Sequence, residues 1–240
     1  MSNTHQHIFH AASSRGAANH GWLKSFHTFS FANYYNPERI NFGALRVLND
    51  DSIEGGMGFG THPHDNMEII SIPLEGALEH RDSMGNHGVI RKGEIQVMSA
   101  GTGITHSEFN HLKDKLTKFL QIWIFPNQRN VKPRYDQIQI NPEGKRNEWI
   151  QLVSPNADDE GAWIHQNAWF TLANMDAQQA LTYTLKGQNT GVYAFVISGE
   201  VAVDGQAMNN RDGLGISGAS AIEVKAQSPT EILIMEIPLA

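Results

Sequence analysis

The chain has 240 residues, no cysteine and a formal charge of −7 with histidine counted neutral. That length allows one large β domain or two modest ones with real cores. The missing thiols exclude disulfides, thiolate catalysis and iron–sulfur ligation, so any metal site has to be built from nitrogen and oxygen. The acidic balance, with no clustered Lys/Arg stripe, gives no reason to expect nucleic acid as a partner, and no apolar run is long enough to span a membrane.

In chain order, the first residues carry scattered histidines, His5, His7 and His10. They read as a ragged terminus whose mobile imidazoles bind a stray metal at most. A basic leader and an apolar segment are both missing there, so a cytoplasmic protein without a signal peptide is expected. From Trp22 to Tyr35 aromatics alternate with Ser, Thr and His, which predicts a strand with one buried face, ended by Asn36-Pro37. His20 and His27 in this region read either as core hydrogen-bonders, which is favoured, or as pocket residues. Leu45 to Asp51 continues as a strand. The glycines at 55, 56, 58 and 60 raise the idea of a phosphate loop, but Pro63 and the period-2 text after it argue against the helix such a loop needs. Close backbone packing is the better reading.

Two stretches then stand out: Gly60-Thr-His62-Pro-His64-Asp-Asn-Met-Glu68, and Gly101-Thr-Gly-Ile-Thr-His106-Ser-Glu108-Phe-Asn110. On a strand, residues two apart share a face, so His62 with His64, and His106 with Glu108, project together. Three imidazoles and a carboxylate converging on one point suit a first-row transition metal. Glu68 has the same parity as His64, so it is either an alternative carboxylate ligand or a supporting group behind the site. His80, His87 and His111 lie beside turns and are expected to be solvent-exposed; His165 has no suitably spaced partner and reads as structural.

Short strands with Gly, Asn and Asp turns continue to the end, the pattern of an antiparallel all-β sandwich or barrel. Gln128–Arg134 reads as a connection between domains at 1–130 and 131–240. Leu74-Glu-Gly76-Ala-Leu matches Ile197-Ser-Gly199-Glu-Val at an offset of 123, an internal repeat. The offset places Leu185 and Gly187 where His62 and His64 stand, give or take a residue or two, and no HxH lies nearby. One metal per chain, in the first half, is therefore expected.

The paired motifs Gly-x5-His62-x-His64-x3-Glu68 and Gly93-x12-His106-x3-Asn110 resemble those of the cupin superfamily. His20-Gly-Trp22, His27-Thr-Phe-Ser-Phe31, Asp82-Ser-Met-Gly85, Met98-Ser-Ala-Gly101 and Pro133-Arg134-Tyr135 resemble its pirin family, and in particular the bacterial pirin-like quercetin 2,3-dioxygenases. The resemblance implies a bicupin, two tandem antiparallel jelly-roll barrels with few short helices. It also implies one divalent metal per chain on His62, His64, His106 and Glu108, with Glu68 outside the ligand set. Fe(II) is the expected ion, and Mn, Co, Ni, Cu and Zn are compatible with the ligands. It further implies a flavonol and dioxygen as substrates, with Glu108 taking the flavonol 3-hydroxyl proton, C2 and C3 oxidised, and carbon monoxide released. Two other readings stand beside it. One is a non-catalytic pirin whose metal state governs a protein partner. The other is a cupin acting on a small acid or sugar, for which Arg46 and Arg134 are the candidate anion-binding residues.

Overall fold

Side-chain alternation along single strands sets the layers. On Thr117–Ile124, Leu120, Ile122 and Ile124 enter a core shared with the second half of the chain, while Gln121 and Trp123 face a cavity inside the first half. The computed structural model describes residues 5–140 and 144–239, nearly all of them strands, bends and turns, with a short 3₁₀ turn at Ala12–Ser14.

Each half is a pair of facing sheets. In spatial order the larger sheet of the first half is Arg134–Gln139, Glu94–Ser99, Glu68–Glu75, Thr117–Ile124, Leu45–Ile53, Leu23–His27 and Gly16–Asn19. Its smaller sheet is Gly58–His64, Ile104–Asn110, Ala77–Asp82 and His87–Arg91. The larger sheet of the second half is Gln6–His10, Gly213–Ser217, Thr190–Ser198, Thr230–Pro238, Trp169–Met175, Ile150–Ser154 and Ala162–Trp163. Its smaller sheet is Ala180–Thr184, Ala221–Ala226, Val201–Val203 and Gln206–Met208. This is the all-β, two-domain jelly-roll arrangement of a bicupin, with open paired sheets rather than closed barrels. The two larger sheets bury Leu48, Ile70, Ile122, Phe170, Phe195 and Leu233, among others, against one another.

The repeat is visible in backbone detail. Gly76 and Gly199 both take positive φ, +81° and +95°, and a Cβ on either would strike the hydroxyl of Thr117 or Thr230 at 2.4 and 2.5 Å. Glycine is required at both turns.

Three expectations change. From His5 onward the described residues are not ragged: Gln6–His10 pairs antiparallel with Gly213–Ser217. His5 Nδ1 and His7 Nε2 reach the same Asp204 Oδ2 at 2.5 and 2.8 Å, and buried His10 bonds the Tyr193 hydroxyl at 2.8 Å. The aromatic strand stops at His27, because Thr28–Ala44 turns repeatedly, with Ala32 at φ +48°. Beyond the 128–134 connection, Arg134–Gln139 joins the first half's sheet against Glu94–Ser99. We retain 1–130 and 131–240 as the proposed domains, with these two outer strands exchanged.

Candidate metal centre

Gly58–His64 and Ile104–Asn110 run antiparallel with His62 opposite His106 and His64 opposite Ile104. A bulge between His106 and Glu108 follows. At the bulge the strands approach so closely that a Cβ on Gly58 would lie 2.3 Å from the Glu108 carbonyl oxygen, so the glycine-rich stretch serves backbone packing.

The three imidazoles His62, His64 and His106 converge, with one nitrogen from each within 4.8 Å of the others. His62 Nδ1 donates to the Gly60 carbonyl at 2.8 Å, which leaves Nε2 as its lone-pair nitrogen. The Nε2 atoms of His64 and His106 are buried without any hydrogen-bond partner. Orphaned buried acceptors are rare in native proteins, and a divalent cation satisfies all three. Burial, reinforced by neighbouring imidazoles, lowers the pKa of His64 to about 4 and of His106 to about 2. Both are therefore neutral and ligation-ready at physiological pH. The donor set fits a transition metal.

Glu108 lines the same cavity but stands outside the imidazole cluster. It is 1% exposed, accepting from Gln121 Nε2 at 3.0 Å and Ser71 Oγ at 3.3 Å. Burial pushes its carboxyl up to about 7, opposed by those two hydrogen bonds. Glu68 lies elsewhere: it accepts from Ser99 Oγ at 2.7 Å, takes a backbone hydrogen bond from His165 and does not line the cavity. The chain leaves the smaller sheet through Asp65–Met67, with Asn66 at φ +45°, and Glu68 opens a strand of the larger one. Parity with His64 does not carry across that turn.

The cavity holds about 270 Å³. Leu23, Phe31, Phe59 and Trp123 form its apolar walls, with Trp123 edge-on to His64 at 4.9 Å and Phe59 to His62 at 6.4 Å. His27, Asn49, Asp51 and Gln121 add a polar floor. His27 is thus a pocket residue with an unpartnered Nδ1, not a core hydrogen-bonder. His20 lines the rim, and His87 and His111 are exposed on Glu79. His80 departs most from expectation: it is fully buried between His106 and Asp82. Arg46 serves backbone carbonyls and Arg134 stacks on Trp163, so neither equips the cavity for an anion.

Comparison with known proteins agrees with the fold. The Pirin family model matches residues 8–124, and the model for the quercetinase C-terminal cupin domain matches 151–237. Quercetin 2,3-dioxygenase of Escherichia coli K12 is 43% identical, over 95% of this chain and 96% of its own length. A pirin-like protein of Caulobacter vibrioides is 41% identical over 92% of this chain and 95% of its own. The crystal structure of the bacterial pirin YhhW from Escherichia coli in complex with nickel(II) superposes with a TM-score of 0.92 at 40% identity, covering 98% of this chain and all of that one. The fold is that of a two-domain cupin. The chain belongs to the pirin family.

Proposed function

We propose that this pirin is a metal-dependent dioxygenase that opens flavonols between C2 and C3. The observation that carries the reading is the convergence of three imidazoles at one end of an aromatic-walled cavity that also holds a buried carboxylate. The naming of a 43% identical relative as quercetin 2,3-dioxygenase supports it. His62, His64 and His106 would hold the ion with Glu108 as fourth ligand, and Fe(II) is our choice of metal. The bound ion supplies Lewis acidity to the substrate hydroxyl and redox reactivity toward dioxygen.

The chain's own residues do the rest. Phe31, Phe59 and Trp123 accept a flat aromatic ring and exclude water. Glu108 takes the proton of the flavonol 3-hydroxyl on a carboxylate oxygen. Gln121 and Ser71 hold that carboxylate still, and its raised pKa suits a base working near neutrality. Both oxygen atoms of O2 end in the ring-opened ester, and one carbon leaves as carbon monoxide.

The test measures metal per chain and carbon monoxide release from quercetin under oxygen, with and without added Fe(II), for wild type and His62→Ala/His106→Ala. The expected result is one metal and turnover in the wild type, and neither in the double variant. Bound metal without turnover on any flavonol would overturn the dioxygenase and leave the interaction protein.

A further inference from the structure

Behind the imidazole cluster lies a second, fully buried histidine–carboxylate pair that the reaction above does not use. His80 and Asp82 are on Ala77–Asp82, the strand that flanks Ile104–Asn110 on the side away from His62. Both side chains have 0% exposure. His80 Nε2 lies 3.1 Å from Asp82 Oδ2, and His80 Nδ1 lies 3.4 Å from His106 Nδ1. The His80 ring is clamped on its other face by Tyr135, stacked at 4.5 Å and 20°.

The proton positions along this row follow from its end. Asp82 accepts the backbone N–H groups of Met84 and Asn86 on Oδ1, at 2.9 and 3.0 Å, and the Asn86 side-chain N–H on Oδ2 at 2.8 Å. A carboxylate only accepts, so His80 Nε2 carries the proton that points at it. With its hydrogen on Nε2 His80 presents an acceptor at Nδ1, and the 3.4 Å contact between the two Nδ1 atoms then takes its hydrogen from His106. His106 is left with its lone pair on Nε2, the nitrogen that is buried and unpartnered at the cluster. Every orientation in the row follows from the acceptor at its Asp82 end.

We propose that His80, backed by Asp82, is a positioning residue that locks His106 in the tautomer and ring orientation presenting Nε2 to a metal. The proposal rests on the metal reading of His62, His64 and His106, and reaches a neutral relay histidine where a carboxylate or backbone carbonyl more often does this work.

Two variants separate positioning from mere packing. Asp82→Asn keeps Oδ1 for the Met84 and Asn86 backbone N–H groups but turns a donor toward His80. The row then reverses, and the proton moves to His106 Nε2. His80→Phe keeps the stack on Tyr135 and removes both hydrogen bonds. Ni(II) affinity is measured by competition with a chelator, the Co(II) ligand-field spectrum is recorded, and thermal midpoints are taken for the metal-free full-length chains. His106→Ala is the reference. Both variants should bind Ni(II) about 10–100-fold more weakly than wild type and show an altered Co(II) spectrum. His80→Gln, whose amide oxygen can accept from His106, should recover part of the affinity lost in His80→Phe. Wild-type affinity and spectrum in Asp82→Asn and His80→Phe, with at most a lowered midpoint, would overturn the positioning role. Wild type and His106→Ala binding Ni(II) equally would instead overturn the metal reading, and the relay with it.

Discussion

The two halves share one topology and differ in what fills them. Superposing Gly76 on Gly199 and following the pairings, His106 and Glu108 fall on Ile222 and Val224, and His62 and His64 on Tyr183 and Leu185. Around Glu108, Ser71 and Gln121 correspond to Ala194 and Ile234. Tyr183, Ala194, Ile222, Val224 and Ile234 are all part of one closed apolar core. The cavity mouth is treated differently too. At the place of Trp123 stands Glu236, fully buried, accepting from Tyr183 Oη, the backbone N–H of Lys186 and Gly187, and Thr190 Oγ1. One interior is kept polar and partly open, while the other is packed shut. Tolerance of buried polar groups is therefore a property of the supporting shell, because Gln121 and Ser71 supply the hydrogen bonds that a carboxylate inside a sheet sandwich needs.

Exchanging residues at one equivalent position should break the comparison most visibly. Val224→Glu places a carboxylate where no side-chain donor waits, and is expected to destabilise the chain by more than about 3 kcal/mol in denaturant titration. Glu108→Val, the reverse change, is expected to leave the metal-free chain equally or more stable while carbon monoxide release falls to background. If both variants lose stability alike, the two interiors are not differently supported. His106→Ala and Ile222→Ala form the next pair. The first should abolish metal binding with little effect on the metal-free midpoint. The second should keep one metal per chain and lose about 2–5 kcal/mol through the cavity it opens.

What the sequence revealed follows the same division. The gathering of His62, His64 and His106, and the place of Glu108 in the adjoining cavity, were foreshadowed by a period of two that puts the members of each pair on one face within one strand, and the turn at Gly76 and Gly199 exposed the repeat. The offset of 123 placed Leu185 opposite His62, two residues off, because the 186–190 link, held on Glu236, is two residues longer than its counterpart Asp65–Met67. Glu68 stays out of the cavity because its parity is reset at that turn, so the two roles its sequence position left open were not separable from spacing alone. His80 was missed because nearness to a turn suggests exposure, whereas cover by Ile104–Asn110 and Tyr135 comes from strands distant in the chain. Gln6–His10 and Arg134–Gln139 carry no strong alternation, and the edges they pair with decide their conformation.

Asp51 offers a smaller, pH-resolved test of the polar interior. Its counterpart in the second half is Ala173. Burial pushes the Asp51 carboxyl up to about 7, opposed by a hydrogen bond from Ser25 and aided by Asp50 and Glu108. The folded chain therefore holds a proton that the unfolded chain has released, and this contribution to stability is present at low pH and lost as pH rises from about 4 through 7. The slope is at most about 1.4 kcal/mol per pH unit. Asp51→Asn should thus raise the metal-free midpoint above wild type at pH 8 and match it near pH 4. A constant difference across that range would mean that Asp51 titrates normally.

His10 tests the opposite sign on the strand that the first half lends to the second. Burial, with Arg39 nearby, lowers its pKa to about 4. The unfolded chain then gains a proton near pH 6.5 that the folded chain refuses, so stability is full above 6.5 and is lost as pH falls toward 4. Solvent still reaches part of the ring, which keeps the effect to about 1 kcal/mol at pH 5. His10→Asn should lose the Tyr193 hydrogen bond at every pH, lowering the midpoint uniformly, and should flatten this acid limb of the melting curve. A limb as steep in His10→Asn as in wild type would move the acid sensitivity to other groups.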